Sequence, residues 1–258
     1  MRKAGIIAFW LILWQAASLA VHNNIILVGP VEVVRVLAEQ IVLAGSGSDY
    51  DFWRTIIHSF GKISIGFLAA FIAGILVGCI AYGFPFLKEL LEPVMVFMKS
   101  VPVASFVILA LIWIGSKNLS VFISFMVVFP MIYVNTIAGL SSTDPDLLEM
   151  AFVFRMRKLK KAHYIYGPAL MPYLISGCKL SLGMSWKSGV AAEVIGVPAH
   201  SIGEKLYMAK IYLNTADLFA WTLVIILISA GGEKLFLYLL NSVDKHFNRT
   251  NGKEGDLL

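Results

Sequence analysis

Charged side chains inside long apolar runs are the residues of this sequence best suited to chemistry. Lys99 stands in the middle of such a run, and Lys187 and Glu193 lie near the end of another. A charge at membrane depth costs about 2.5–3.5 kcal/mol to insert, so such residues usually face a cavity, a partner or the interface. We therefore predict a solute path, and the lysines favour an anionic solute. The predicted lining residues are Lys99, Ser100, Pro102, Trp186, Lys187 and Glu193.

Each of these residues also has a structural interpretation. Lys99 can snorkel or pair with a carboxylate, while Lys187 and Glu193 can pair with each other or with a partner subunit. Trp186 in an apolar run is more often a packing residue or an interfacial anchor. Lys62 lies close enough to the end of its run to snorkel. The pattern alone leaves these alternatives open.

The residue pattern does not indicate an enzyme active site. The five histidines show no metal-ligand spacing, and no phosphate-binding G-x-x-x-x-G-K-[ST] motif is present. We therefore expect no catalytic residues, no metal and no cofactor. The net charge of +5 is too small, and too interrupted by apolar runs, for a nucleic-acid-binding protein.

The elements that carry these residues are membrane spans. Hydrophobic residues make up 59% of the 258 positions and charged residues only 14%, which excludes an ordinary soluble domain. The apolar runs are continuous and long enough for helices that cross a bilayer, so we predict an all-α integral membrane protein. The six predicted spans are 4–21, 55–81, 90–114, 119–140, 169–195 and 216–240.

The distribution of basic residues predicts the orientation. With both termini in the cytoplasm, twelve of the 21 Lys and Arg residues fall in inner segments and five in outer ones. Basic residues favour cytoplasmic loops, so this orientation is expected. The first run has an alternative interpretation as a cleaved signal peptide ending at small residues. Cleavage would leave the sidedness of the other spans unchanged.

The inner connection at 141–168 carries strong signals for a short helix. Asp144 suits the N-cap, Pro145 the first helical position, and Asp146 and Glu149 the positive end of the helix dipole. Its apolar residues, including Leu147 and Phe152, need a covering surface outside the bilayer. Periodicity alone favours a soluble protein partner and a layer of anionic lipid headgroups equally.

The same loop resembles the EAA loop of bacterial ABC importer permeases, whose pattern is Glu-Ala-Ala, three residues, Gly, nine residues, Ile-x-Leu-Pro. Glu149, Ala151, Ile165 and Pro168 match, whereas Met150, Arg155 and Gly167 depart from it. Arg at the glycine position adopts a left-handed turn less readily. The resemblance implies that the loop docks on an ATPase subunit. The predicted coupling residues are Asp144, Leu147, Leu148, Glu149, Ala151, Phe152, Arg155, Ile165, Gly167 and Pro168.

Further segments are similar to the nitrate, sulfonate and taurine branch of these permeases. They include Gly29-Pro30, the glycines of the second span, the string Lys99 to Ala104, and Ala192-Glu193 with Ile202-Gly203. The resemblance implies a type I importer (MetI-like) fold. In this fold, residues 1–54 form the first helix and an outer segment, residues 55–240 form the permease core, and residues 241–258 form a cytoplasmic tail. It also implies a prokaryotic plasma membrane, a second permease copy, ATPase subunits and an extracytoplasmic binding protein.

The branch leaves the solute open. Nitrate, a sulfonate or taurine fits the lysines, and a vitamin precursor such as a pyrimidine or a riboflavin-like compound is the alternative. A secondary transporter would show an internal repeat with paired broken helices, and no convincing repeat is present. An intramembrane enzyme would need convergent His, Asp or Ser residues within the spans, where the ionisable residues are isolated.

Overall fold

A computed structural model describes residues 2–23, 25–45 and 51–255. All regular elements within these ranges are helical, as the continuous apolar runs predict, so the all-α fold class is confirmed. The longer helices are α1 (Arg2–Val21), α2 (Pro30–Gly45), α3 (Phe52–Gly83), α4 (Pro85–Ser100), α5 (Val103–Ile114), α6 (Leu119–Ser141), α9 (Gly167–Gly196) and α11 (Thr215–Gly255). The shorter ones are α7 (Pro145–Val153), α8 (Lys158–Lys161) and α10 (Ile202–Ile211).

The helices agree with the predicted spans within a few residues at most ends. In the described ranges, three helices are long and apolar enough to cross a membrane, and a fourth span results if the bent pair α4 and α5 is counted as one. The apolar part of α1 is shorter, and α9 has 30 residues but carries several charged and polar side chains. The count of six spans therefore stays a prediction. Neither α2 nor α10 was expected.

The third predicted span is not one straight helix. Residues 90–114 were predicted to be continuous, but α4 and α5 meet at an angle of 105°. Val101 is extended at φ −70° and ψ 126°, as the residue before a proline prefers, and its N–H donates to the Phe97 carbonyl. Pro102 has no N–H to continue the ladder, and its carbonyl accepts from Phe106 at 3.2 Å as α5 begins.

Contacts divide the chain into two units. The first contains Met1–Lys62, Val107–Leu119 and Val190–Ile228. Its core includes Phe52 and Trp221, whose ring centroids are 5.2 Å apart. The second unit contains Ile63–Phe106, Ser120–Gly189 and Ser229–Leu258.

The core of the second unit depends on close approach between α3 and α6. A side chain at Gly74 would lie 2.8 Å from Ile132 Cβ, and one at Gly78 would lie 2.8 Å from Thr136 Cβ. Small residues let helix backbones approach closely where lipid provides no hydrophobic drive. Gly74 and Gly78 therefore allow the close packing of α3 on α6.

Candidate functional site

The loop at 141–168 forms the helix that its sequence predicts. Asp144 caps α7, and its Oδ1 accepts a hydrogen bond from the Asp146 N–H at 2.9 Å. Pro145 occupies the first turn, where the missing N–H has no helical partner to lose. Ala151 is buried, whereas Leu147, Glu149 and Phe152 are exposed. The helix therefore presents a small residue inward and both an acid and large apolar groups outward.

The end of α7 explains how Arg155 replaces the glycine of the family pattern. Arg155 has φ +48°, the left-handed conformation that glycine adopts most easily. The Met156 N–H donates to the Ala151 carbonyl at 2.9 Å, and the Arg155 N–H donates to Phe152 at 3.0 Å. These two bonds form a Schellman motif, which satisfies terminal carbonyls of the helix. The turn expected from glycine is thus made by arginine.

The loop joins α9 through an irregular helical stretch. Residues Ala162–Tyr166 form a π-turn, in which the Gly167 N–H donates to the Ala162 carbonyl. Pro168 follows directly and has no backbone N–H to donate, so one helical hydrogen bond is missing there. The wider π-turn accommodates this interruption. Ile165 is buried, and Gly167 and Pro168 are half-buried. The end of the loop is therefore packed against the protein while α7 is largely outside it.

Lys99 lies on an open groove between α4 and α6. The groove has a volume of about 360 Å³, and Lys88, Glu92 and Lys99 of α4 line one wall while Tyr133 of α6 lies opposite. These three charged residues are four and seven positions apart, so they share one face of the helix. We call Lys88, Glu92 and Lys99 the charged stripe. All three are exposed.

The other predicted path residues differ in burial. Ser100 and Pro102 are exposed at the break between α4 and α5, and Lys187 is exposed on α9. Trp186 is only 4% exposed, as expected for a packing residue. Lys62 was expected to lie close enough to the end of its span to snorkel, and its Nζ donates at 2.9 Å to the Lys117 carbonyl and to Asn118 Oδ1, which lie between two predicted spans.

Glu193 is enclosed in the first unit. It is 0% exposed, and its Oε2 accepts from Ser59 Oγ at 2.7 Å and from the Gly203 N–H at 3.3 Å. The Ile202 N–H donates to Ser59 Oγ at 2.9 Å. We call Ser59, Glu193, Ile202 and Gly203 the buried carboxylate network. It places a carboxylate at the N-terminus of α10, where the helix dipole and unpaired amides favour negative charge.

The family of the chain is decided by a match along most of its length. The pattern of the binding-protein-dependent transport system inner membrane component matches residues 65–249. The chain belongs to this family. The permease is thus a multi-pass subunit of an ABC importer, as the resemblance in its loop implied.

Relatives of the permease are named for different anions. It is 27% identical over 202 residues to the nitrate import permease of Synechocystis sp., covering 76% of this chain and 72% of the relative. It is 29% identical over 224 residues to a putative aliphatic sulfonates permease of Bacillus subtilis, covering 86% and 77%. It is 31% identical over 199 residues to the bicarbonate permease of Synechococcus elongatus, covering 74% and 70%.

Sequence reasoning missed several residues of the permease that the structure brings together. Ser59 is 134 positions from Glu193, and no local pattern in the sequence links the two residues. Lys88 lies just before the predicted third span and Glu92 lies within it, and their helical spacing to Lys99 is visible in the sequence. Tyr133 had no signal of its own, because its place opposite the stripe depends on how α6 packs against α4.

Proposed function

We propose that the permease forms the translocation path of an importer for a small anionic solute and drives no chemistry itself. A separate ATPase subunit would dock on α7, and an extracytoplasmic binding protein would deliver the solute. A second copy of the chain would complete the path. The observation that carries this proposal is the largely exposed, well-terminated helix α7 on the long inner loop of a family member.

The exposure of α7 supports a protein partner. Phe152 is 83% exposed, and Leu147, Val153 and Phe154 are exposed with it. A helix that is capped at its start and closed by a Schellman motif is rigid at both ends, so it can transmit a push. ATP-driven closure of the partner would then bias the conformation of the helices that the loop adjoins.

The orientation follows from the basic residues. Arg157, Lys158, Lys160 and Lys161 follow α7 directly, and such clusters favour the cytoplasmic side. We therefore place both ends of the chain, including segment 241–258, in the cytoplasm, and α10 on the outer side. In this arrangement α7 faces the compartment that contains ATP.

The solute class rests on the relatives and on the groove. Nitrate, sulfonate and bicarbonate, the solutes named for the relatives, share an oxyanion group. Two lysines and one glutamate line the groove, so its net charge suits an anion. The proposed path residues remain Lys99, Ser100, Pro102 and Lys187. Trp186 and Glu193 are proposed to support the path from buried positions.

Docking is tested by co-purification with a co-expressed ATPase subunit of the same transporter. Glu149→Lys reverses the charge at the family's motif position, and Phe152→Ser removes the largest exposed apolar contact. We expect each variant to lose at least about nine-tenths of the bound ATPase, because interface energy is concentrated in a few such residues. Tyr212→Ser is the matched control, since Tyr212 is 77% exposed but lies on the proposed outer side.

The two variants separate a protein partner from a lipid surface. If α7 rested on anionic headgroups, Glu149→Lys would strengthen its membrane contact and Phe152→Ser would weaken it. Opposite effects of the two variants on membrane contact, with full ATPase retention in both, would overturn the docking proposal. Normal membrane insertion of each variant, measured in parallel, shows that the fold is preserved.

A further inference from the structure

The charged stripe places two lysines and one glutamate on a single wall of the groove. Lys88, Glu92 and Lys99 take part in none of the ion pairs found in the described part of the chain. Lys88 and Glu92 are four residues apart on α4, a spacing that permits pairing, yet they do not pair. A charge near membrane depth without a counter-ion requires water or a charged ligand.

A second observation lies on the opposite wall of the groove. Tyr133 is 4% exposed, and among the described residues none forms a hydrogen bond with its buried hydroxyl. Buried tyrosine hydroxyls usually have a partner, because losing the bond to water is costly. Tyr133 lines the groove, so its hydroxyl is the neutral donor nearest to a ligand bound there. The groove therefore combines two ammonium groups with a hydroxyl donor.

We propose that the groove between α4 and α6 is a binding site for a small oxyanion, contacted by Lys99 and then Lys88, with Tyr133 as a neutral donor. Ammonium and hydroxyl donors are the groups that bind an oxyanion through charge-assisted hydrogen bonds. This inference rests on the proposed function for the direction of transport. It extends the proposal from a single lysine to a defined site.

Glu92 has a specific place in this site. It lies between the two lysines along the stripe and repels an anion bound at either of them. Transport requires binding that is strong enough to admit the solute and weak enough to release it. The carboxylate therefore lowers affinity and speeds release. A solute that also carries an ammonium group would bind Glu92 directly.

The stripe also has a direction. Lys88 and Lys99 are eleven residues apart, which is about 16 Å along a helix. Lys88 lies near the start of α4, close to the proposed inner face, and Lys99 lies in its last turn next to the break at Pro102. The site therefore leads from the interior of the path toward the cytoplasm.

The experiment measures the melting temperature of the purified permease–ATPase complex in sodium nitrate, sodium bicarbonate, sodium ethanesulfonate and taurine. Sodium chloride at equal ionic strength is the reference. A ligand that binds only the folded state raises the melting temperature, so no transport is needed. We expect at least one of the three oxyanion salts to raise it above the chloride value. Lys99→Gln should weaken this binding about ten- to hundredfold, the value of a charged hydrogen bond.

Glu92→Gln should have the opposite effect and tighten binding of the same oxyanion. Taurine separates the two contacts, because its ammonium group would lose affinity in Glu92→Gln while its sulfonate would lose affinity in Lys99→Gln. The matched controls are Glu89→Gln and Lys234→Gln, which change exposed charges outside the groove. Both controls should keep the response of the unmodified complex.

The site is overturned if Lys99→Gln responds like the unmodified complex, or if chloride stabilises as much as every oxyanion. Loss of ATPase co-purification in Lys99→Gln would indicate misfolding. The test then uses Lys99→Arg, which retains the charge: an oxyanion-dependent rise in melting temperature supports the site, and its absence refutes the site. Failure of every oxyanion to stabilise the unmodified complex also refutes the site. It leaves ATPase docking on α7 untouched, because that is measured separately.

Discussion

The charged stripe on α4 and the buried carboxylate network around Glu193 both contain ionisable side chains within an apolar chain, but the fold treats them differently. Glu193 is fully enclosed, with Ser59 and the Gly203 amide donating to it. The stripe is exposed on an open groove and has no ion-pair partner in the described residues. A buried carboxylate that accepts hydrogen bonds from distant segments holds those segments together, whereas an accessible charge without an ion-pair partner is available to a ligand.

The largest expected effect is the loss of Glu193. Glu193→Ala leaves the Ser59 hydroxyl and the Gly203 amide without their acceptor and opens a cavity. We expect a destabilisation of about 2–5 kcal/mol, seen as a lower melting temperature of the purified permease. Glu193→Gln keeps an acceptor oxygen and should cost much less. Equal stability of Glu193→Ala and the unmodified chain would mean that the network is not structural.

A smaller effect is expected at Gly203. A side chain there would collide with the backbone and Cβ of Glu193, so Gly203→Ala should destabilise the permease by about 1–3 kcal/mol. Gly183 provides the matched control, because an added Cβ there meets nothing within 4 Å. Gly183→Ala should be neutral or stabilising, since alanine favours a helix over glycine. A comparison of the two melting temperatures tests how tightly α10 packs on α9.

The smallest effect on stability is expected in the stripe. Lys99→Gln removes an exposed charge without a protein partner, so the melting temperature without solute should change by less than about 2 °C. The same variant should lose oxyanion binding, as proposed above. A large destabilisation would show that Lys99 stabilises the end of α4 rather than serving the solute.

The local features of the fold follow closely from the sequence. Asp144 and Pro145 predict the start of α7, and the structure begins the helix at Pro145. Arg155 was expected to resist the left-handed turn, but two backbone hydrogen bonds hold it there. The hydrogen bonds that the turn provides offset the strain of one residue in this conformation, so the residue type alone was a poor guide.

By itself, the sequence determined where most of the long apolar helices lie and how α7 begins, because these features depend on residues within a few turns of one another. Only the tertiary structure decided which charges are buried and which are accessible. Glu193 and Lys99 look alike in the chain, but one meets Ser59, 134 positions away, and the other faces an open groove. Burial arises from contacts between distant segments, and no local pattern records them.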